Sequence, residues 1–272
     1  MSELLDRLMQ GISGYCGDGI TLGFSGGTDS ALLLAVTARL REKTPFPFVA
    51  VMMHSVFQSE QECMEAEALA NQFSVPFVRL EYDPLLIPEV KKNSRERCYF
   101  CKKFFFSKIQ EFAKENSLGY IFDGTNADDL TKYRPGQKAI RELGIRSPLA
   151  ESNLSKAEIR RISRELNLPT AEKPASPCFA TRFEYDMELT AEKIRLVASG
   201  EEIIRTLIPE AEEIRLRIEG DSARIEVSAE YIPFLQRNQQ SVFEQLNGLG
   251  LQKISIDPEG YRSGSFDKFS VS

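Results

Sequence analysis

The chain has 272 residues, 42% of them hydrophobic and 27% charged, an ordinary globular balance with room for one large domain or two modest ones. A formal net charge of −6 argues against a general nucleic-acid coat, and no apolar run approaches the roughly 18 residues of a membrane span. One histidine and no tryptophan argue against a His-based triad or a multi-histidine metal site. Five cysteines, an odd number, suit catalytic or metal-bound thiols better than a disulfide framework. The start, Met1-Ser2-Glu3-Leu4-Leu5-Asp6, lacks the basic residues of a signal peptide, so a cytoplasmic protein is expected.

In chain order, Leu4, Leu5, Leu8, Met9 and Ile12 recur at helical spacing and predict a helix over 3–13. Residues 20–24 predict the first strand. Ser25-Gly26-Gly27-Thr28-Asp29-Ser30 follows it directly and leads into 31–40, a helix apolar on nearly every side and therefore buried. Two adjacent glycines open backbone conformations closed to other residues. Successive N–H groups then face one concavity at the positive end of the next helix, the arrangement that holds phosphate. The hydroxyls of Ser25, Thr28 and Ser30 would add donors, and Asp29 would hold a magnesium ion. The loop has neither the Gly-Lys-Ser/Thr of a Walker A motif nor a Gly-x-Gly-x-x-Gly turn.

Residues 48–53 predict a second strand of the continuous apolar kind found in parallel sheets. Ser59 and Glu62 have capping-box spacing and open a helix to 73. A third strand is expected at 75–80, a helix at 98–116, and a fourth strand at 119–122, ending on Asp123-Gly124-Thr125-Asn126. Strands alternating with helices imply an α/β fold with a doubly wound parallel sheet, whose ligands bind beyond the carboxyl ends of the strands. Ser25, His54 and Asp123 all fall at such ends. Ser155 and Glu158 form a second capping box, opening a helix to 167; a Pro-rich loop over 168–182 then carries Cys178, and a helix spans 191–207. A hairpin over 213–219 and 222–228, a helix near 231–246 and a strand near 251–256 complete a smaller α+β domain. The expected division is 1–170 for the nucleotide-binding domain and 171–272 for the cysteine loop with the C-terminal domain.

Several side chains could carry chemistry. Asp123-Gly124-Thr125-Asn126-Ala127-Asp128-Asp129 reads as a turn before an acid-capped helix or, beside a phosphate loop, as a nucleotide contact with Asp128 joining Asp29 at magnesium. Cys98-Tyr99-Phe100-Cys101-Lys102 at a helix start allows half-buried thiols, a redox pair, or two ligands of an iron–sulfur cluster whose third is Cys178 and whose fourth iron stays open. Zinc would need a second cysteine pair, which is missing. Arg215-Leu216-Arg217 puts two guanidinium groups on one face of a strand, which suits either a solvated face or recognition of carboxylate and phosphate. Arg182, close to Cys178, favours the second.

Residues 25–30 resemble the pyrophosphate-binding loop of the PP-loop ATP pyrophosphatases. Those enzymes adenylate an oxygen, release pyrophosphate and let a nucleophile displace AMP. Together with Cys98-x-x-Cys101-Lys102, Asp123-Gly124-Thr125-Asn126, Arg134-Pro135-Gly136, Pro177-Cys178-x-x-x-Arg182 and Arg215-x-Arg217, they make nearly the whole chain resemble the LarE family of ATP-dependent sulfur transferases. The resemblance implies ATP and magnesium as cofactors and pyridinium-3,5-biscarboxylic acid mononucleotide as substrate. It further implies a thiocarboxylate product on the way to a nickel-pincer nucleotide cofactor, and a hexamer. The nucleotide site is expected to take Ser25, Gly26, Gly27, Thr28, Asp29, Ser30, His54, Asp123, Gly124, Thr125 and Asn126, and the resemblance places Arg182, Glu202, Arg215 and Arg217 in the anionic substrate site. One branch of the family sacrifices a single loop cysteine, which becomes dehydroalanine. Another holds a [4Fe-4S] cluster on three cysteines, and Cys98, Cys101 and Cys178 match that branch. A tRNA 2-thiolation enzyme of the PP-loop class and a non-catalytic adenine-nucleotide sensor remain as alternatives. An amide-forming enzyme would need a glutaminase domain for which the chain has no room.

Overall fold

Alternate side chains of an extended strand point to opposite faces, so a strand that is apolar throughout has to be covered on both. Strands β1 (Ile20–Gly23), β2 (Phe48–His54), β3 (Phe77–Glu81) and β4 (Tyr120–Phe122) form a parallel sheet in the order β3-β2-β1-β4. Phe48, Ala50 and Met52 join a core with Leu5 and Leu8 of α1 (Glu3–Ser13), Leu32 and Leu33 of α2 (Thr28–Lys43), Cys63 and Ala66 of α3 (Glu60–Gln72), and Ile159 of the later helix Lys156–Glu165. Val49, Val51 and Met53 face the other way, into a second core.

The computed structural model describes residues 3–131 and 135–262, so Arg134 of the expected Arg-Pro-Gly motif lies outside the described residues. By its contacts the chain forms two units, Met1–Asp83 with Glu96–Ser176 and Pro84–Arg95 with Pro177–Ser272. The division expected at residue 170 assigns 84–95 to the first domain, whereas these residues, with the one-turn helix α4 (Pro88–Lys91), pack in the second unit. The first unit continues with α5 (Arg97–Glu115), which leads into β4, then α6 (Ala127–Leu130), α7 (Pro135–Glu142), α8 (Pro148–Glu151) and α9 (Lys156–Glu165). Phe106 and Ile109 of α5 and Ile140 of α7 fill the second core.

The strand order has a consequence for binding. From β1 the chain winds outward through β2 to β3, then returns to place β4 on the other side of β1. The crevice beyond the carboxyl ends of β1 and β4 is therefore the point where the winding reverses, the place where open α/β sheets take ligands. Helix α2 begins at Thr28, three residues earlier than expected, because Gly27 is its extended N-cap (φ −81°, ψ 167°). Asp29 and Ser30 thus sit in its first turn rather than in a loop.

In the second unit β5 (Ile214–Glu219) and β6 (Ser222–Val227) form the expected antiparallel hairpin, and β7 (Lys253–Ile256) pairs parallel with β6. Helix α10 (Ala191–Leu207) lies on β5, where Gly200 leaves the space that Leu216 fills: a Cβ there would meet Leu216 Cδ2 at 2.5 Å. The single helix expected over 231–246 is two, α11 (Ile232–Arg237) and α12 (Gln239–Asn247), parted at Asn238. The fully buried Asn93 donates through Nδ2 to the carbonyls of Phe183 and Glu184, and Leu189 N–H donates to Lys91 O, which fixes 84–95 within this unit. Among the described residues no helix is long and apolar enough to cross a membrane.

Candidate functional site

The loop after β1 has the backbone its sequence demands. Gly26 sits at φ +69°, and a Cβ on it would strike Ala66 Cβ at 2.9 Å, so both conformation and space require glycine there. Ser25 Oγ and Ser30 Oγ lie 3.1 Å apart, and Gly27 N–H points to Ser25 Oγ at 3.4 Å. Thr28 behaves differently. Its buried hydroxyl donates to Thr170 O at 2.9 Å, so it ties the loop to the turn over 170–173 rather than offering a proton to a ligand. Gly124, after β4, brings the second expected segment close: a Cβ on it would lie 3.4 Å from Asp29 Cβ and Ser30 N.

The acids around this loop divide by what they hold. Asp29 Oδ2 accepts from Lys156 Nζ at 2.7 Å, while its Oδ1 is buried and makes no hydrogen bond. Burial pushes the Asp29 carboxyl above the usual range; Lys156 opposes that shift and the nearby Asp129 charge adds to it. An ionisable carboxylate with one unanswered oxygen beside a phosphate loop fits a magnesium ion. Magnesium needs only one or two protein carboxylates, because water and phosphate supply the other ligands. Asp128 Oδ2 accepts from Lys156 N–H at 2.9 Å, so Lys156 touches both acids expected at the metal, one through its side chain and one through its backbone. Asp123 is buried and accepts from Thr125 Oγ1 and Ser147 Oγ, each at 2.5 Å, with Lys102 Nζ 3.8 Å away. Both its oxygens are answered by protein donors, so it organises the β4 end rather than offering a free ligand. Asn126 caps α6 and exchanges a capping box with Asp129. The structure engages His54 with Glu60, Arg79 and Glu81, its Nδ1 lying 3.1 Å from Glu81 Oε2. Arg79, hydrogen-bonded to Glu60, holds that carboxyl below its usual range.

Cys98 and Cys101 lie three residues apart in the first turns of α5, hence on one side of it. Cys98 is exposed; Cys101 is half-buried, 3.4 Å from the hydroxyl of Tyr82, which stacks on Phe104. The stem of Lys102 lies under Gly136, where a Cβ would meet Lys102 Cδ at 2.8 Å. Cys178, half-buried, precedes the short 3-10 turn Phe179–Arg182 of the second unit. Three thiols have the donor chemistry of an iron–sulfur site, yet among the described residues no group of three or more His, Cys, Asp or Glu is arranged to hold a metal ion.

The second unit buries three of its arginines. Arg182 is 3% exposed, and Arg215 and Arg217 are each 5% exposed, so a solvated strand face does not apply. Arg182 makes a two-pronged pair with Glu201, Nε to Oε1 at 2.8 Å and NH2 to Oε2 at 3.0 Å, and Leu216 N–H donates to the same carboxylate. Arg217 Nε reaches Glu226 Oε2 at 3.0 Å, and Arg215 NH2 lies 2.6 Å from Glu213 Oε2. Burial pushes the Arg215 guanidinium below its usual range and the charge of Arg182 adds to that, while burial pushes Glu213 up. Glu202, expected in this site, is exposed; the neighbouring Glu201 takes the buried position.

A parallel sheet with a Ser-Gly-Gly-Thr-Asp-Ser turn leading into a buried helix, at the point where the winding reverses, defines a PP-loop enzyme that uses ATP. Comparison with known proteins agrees, since the NAD synthase family model matches residues 1–117. The chain is 34% identical to an uncharacterised protein of Synechocystis over 97% of its own length and 98% of the other's. It is 33% identical to the pyridinium-3,5-bisthiocarboxylic acid mononucleotide synthase of Lactiplantibacillus plantarum, over 90% of its length and 87% of that protein's. An uncharacterised protein of Methanocaldococcus jannaschii is 30% identical over 90% and 91%. The chain belongs to the family of that synthase, the LarE family, and is an ATP-dependent sulfur transferase of the PP-loop class.

Proposed function

We propose that the chain adenylates a carboxylate of pyridinium-3,5-biscarboxylic acid mononucleotide and replaces an oxygen of that carboxyl with sulfur, in the making of a nickel-pincer nucleotide cofactor. The observation that carries this reading is the identity to the mononucleotide synthase across 90% of the chain, which includes the second unit with Arg182, Arg215 and Arg217. A carboxylate resists nucleophiles because it is negative and its oxygen leaves badly. Its oxygen attacks the α-phosphorus of ATP; the bond to the β-phosphate oxygen breaks and pyrophosphate leaves. The N–H groups of the turn at Gly26 and Gly27, with the hydroxyls of Ser25 and Ser30, stabilise the charge that develops there. A sulfur nucleophile then attacks the carbonyl carbon and AMP departs with the carboxyl oxygen, leaving the thiocarboxylate.

Asp29, with Asp128 near it, would hold magnesium, which when bound offsets the phosphate charge. Cys98, Cys101 and Cys178 are the thiols that a [4Fe-4S] cluster would take, and such a cluster supplies an iron open to sulfide. The buried guanidinium groups would meet the phosphate and carboxylate of the mononucleotide. A cytoplasmic hexamer is the setting that the family resemblance implies.

The test is anaerobic turnover with ATP, magnesium, the mononucleotide and sulfide, followed by pyrophosphate assay, iron analysis and intact mass. Repeated turnover, with iron lost in both Cys98→Ala and Cys178→Ala, is expected. ATP binding without mononucleotide-dependent pyrophosphate would sink the reading. Dehydroalanine at position 178 with full activity in Cys98→Ala would replace the cluster with sacrificial chemistry.

A further inference from the structure

We infer that Lys173, a residue of the Pro-rich loop with no assigned part in the reaction, is a positioning residue that aims the amides of the Ser25–Ser30 turn at a phosphate. Its side chain is three-quarters buried, and Nζ donates to Gly26 O at 3.4 Å and to Glu65 Oε2 at 2.9 Å. The carbonyl of Gly26 and the N–H of Gly27 belong to one planar trans peptide and point in opposite directions. Holding the carbonyl on one side therefore aims the N–H to the other, where it meets Ser25 Oγ and where an anion would lie. Gly26 has no side chain to fix that plane, and at φ +69° it belongs to a region from which glycine escapes easily. A cation on the carbonyl supplies the missing constraint.

The base from which Lys173 reaches is rigid. Thr28 Oγ1 donates to Thr170 O, Lys173 N–H closes the turn onto the same carbonyl at 3.1 Å, and Arg160 holds Ala171 O and Lys173 O from α9. This accounts for Thr28, whose hydroxyl is spent on the turn that carries Lys173. The ammonium has a resting partner in Glu65, a half-exposed carboxylate on α3, and pairs of that kind contribute little. Burial pushes Glu65 up, but hydrogen bonds from Lys173 and Gln61 outweigh it and leave the carboxyl below its usual range. The ligand class is a di- or triphosphate, met by the amides that Lys173 aims from the carbonyl side of the peptide.

The inference rests on the adenylating role of the loop but not on the identity of the acceptor, so the probe is inorganic pyrophosphate with magnesium, titrated calorimetrically without mononucleotide. Lys173→Met should weaken pyrophosphate and ATP binding roughly ten- to a hundred-fold, the loss of one charge-assisted hydrogen bond, with an unchanged circular dichroism spectrum. Lys173→Arg should recover most of the affinity. Glu65→Gln, which removes only the resting partner, should bind pyrophosphate as tightly as wild type or more tightly. A purely structural Lys173–Glu65 bridge would instead make Glu65→Gln and Lys173→Met equally weak. That result, or wild-type affinity in Lys173→Met, overturns the inference. Absence of mononucleotide-dependent pyrophosphate release in the wild type would strike the proposed substrate and leave these titrations readable.

Discussion

In the first unit the groups proposed to meet an anion are backbone amides, held open by Gly26 and Gly27 at the end of β1. In the second they are the guanidinium groups of Arg182, Arg215 and Arg217, each buried with a carboxylate against it: Glu201, Glu213 and Glu226. Partial charges on N–H groups need no counter-ion, so the loop stands ready without one and its cost is conformational, met by glycine. Full charges in the interior are another matter. Desolvating them is expensive unless a partner is built in, and the partner then becomes part of the fold. Damage to the loop should therefore remove function and spare stability, whereas damage to the arginine set should remove stability first.

The largest effect that separates the two belongs to Arg182. Its replacement by alanine strands the buried Glu201, and losses of about 3–5 kcal/mol are usual for such a broken pair. Urea unfolding of Arg182→Ala should show it, and Arg182→Met with Glu201→Leu should recover much of the loss. A variant as stable as wild type would erase the contrast.

Next comes Asp29→Ala, expected to lower pyrophosphate release by about a hundred-fold or more, close to 2.7 kcal/mol of barrier, while the fold survives. Pyrophosphate assay and circular dichroism on the same preparation decide it. The carboxyl also has a stability signature. Because its folded pKa lies above the unfolded value, its contribution is fully present below about pH 3.9 and is lost as pH rises through the folded pKa. Asp29→Asn should thus gain melting temperature relative to wild type as the pH is raised from about 3 to 7; a gap that narrows instead would mean that Lys156 outweighs burial.

A finer probe of the arginine set keeps the charge and changes only the shape. Arg217→Lys leaves a cation opposite Glu226 but lacks the planar fork. It should weaken a mononucleotide analogue about ten-fold, roughly 1.4 kcal/mol, and leave ATP affinity unchanged. Equal losses for both ligands would count against separate sites.

The smallest expected effect concerns the helix end that delivers Lys156 to Asp29. Ser155→Ala removes the cap of α9 and should cost about 1 kcal/mol by thermal melting. Hydrogen bonds from the Ser155 backbone and side chain hold the Glu158 carboxyl below its usual range. Its contribution is therefore present above about pH 4.3 and disappears as pH falls through the folded value, so the gap between wild type and Glu158→Gln should close on acidification.

The sheet was legible because the strands and helices alternate and both capping boxes, Ser59 with Glu62 and Ser155 with Glu158, announce helix starts by local chemistry. The phosphate loop was legible because its residues are contiguous. Lys156 and Lys173 were not: each meets the loop only through the fold, and a lysine in a helix start or a Pro-rich segment carries no local mark of its target. Glu201 did leave a mark. It interrupts the stripe Ile194, Val197 and Ile204 on the buried side of α10, where an acid signals a buried partner, whereas Glu202 falls one position off that stripe. The short helices α4, α7 and α8 were missed because one or two turns are too few to show a period. The expected helix over 231–246 hides its break because Asn238 punctuates it more weakly than a proline or glycine would.

The placement of residues 84–95 shapes how this chain can be made and divided. The second unit is discontinuous in sequence: a short piece of it is synthesised long before the rest and must wait for Phe183, Glu184 and Leu189 to emerge before Asn93 and Lys91 find their hydrogen-bond partners. Those contacts span about ninety residues, so the second unit closes late on the ribosome, after the first has had its strands and helices in hand. A fragment beginning at Pro177 would lack Asn93, leaving the carbonyls of Phe183 and Glu184 without the donor that the intact chain supplies, so a cut at the apparent boundary does not yield a whole domain.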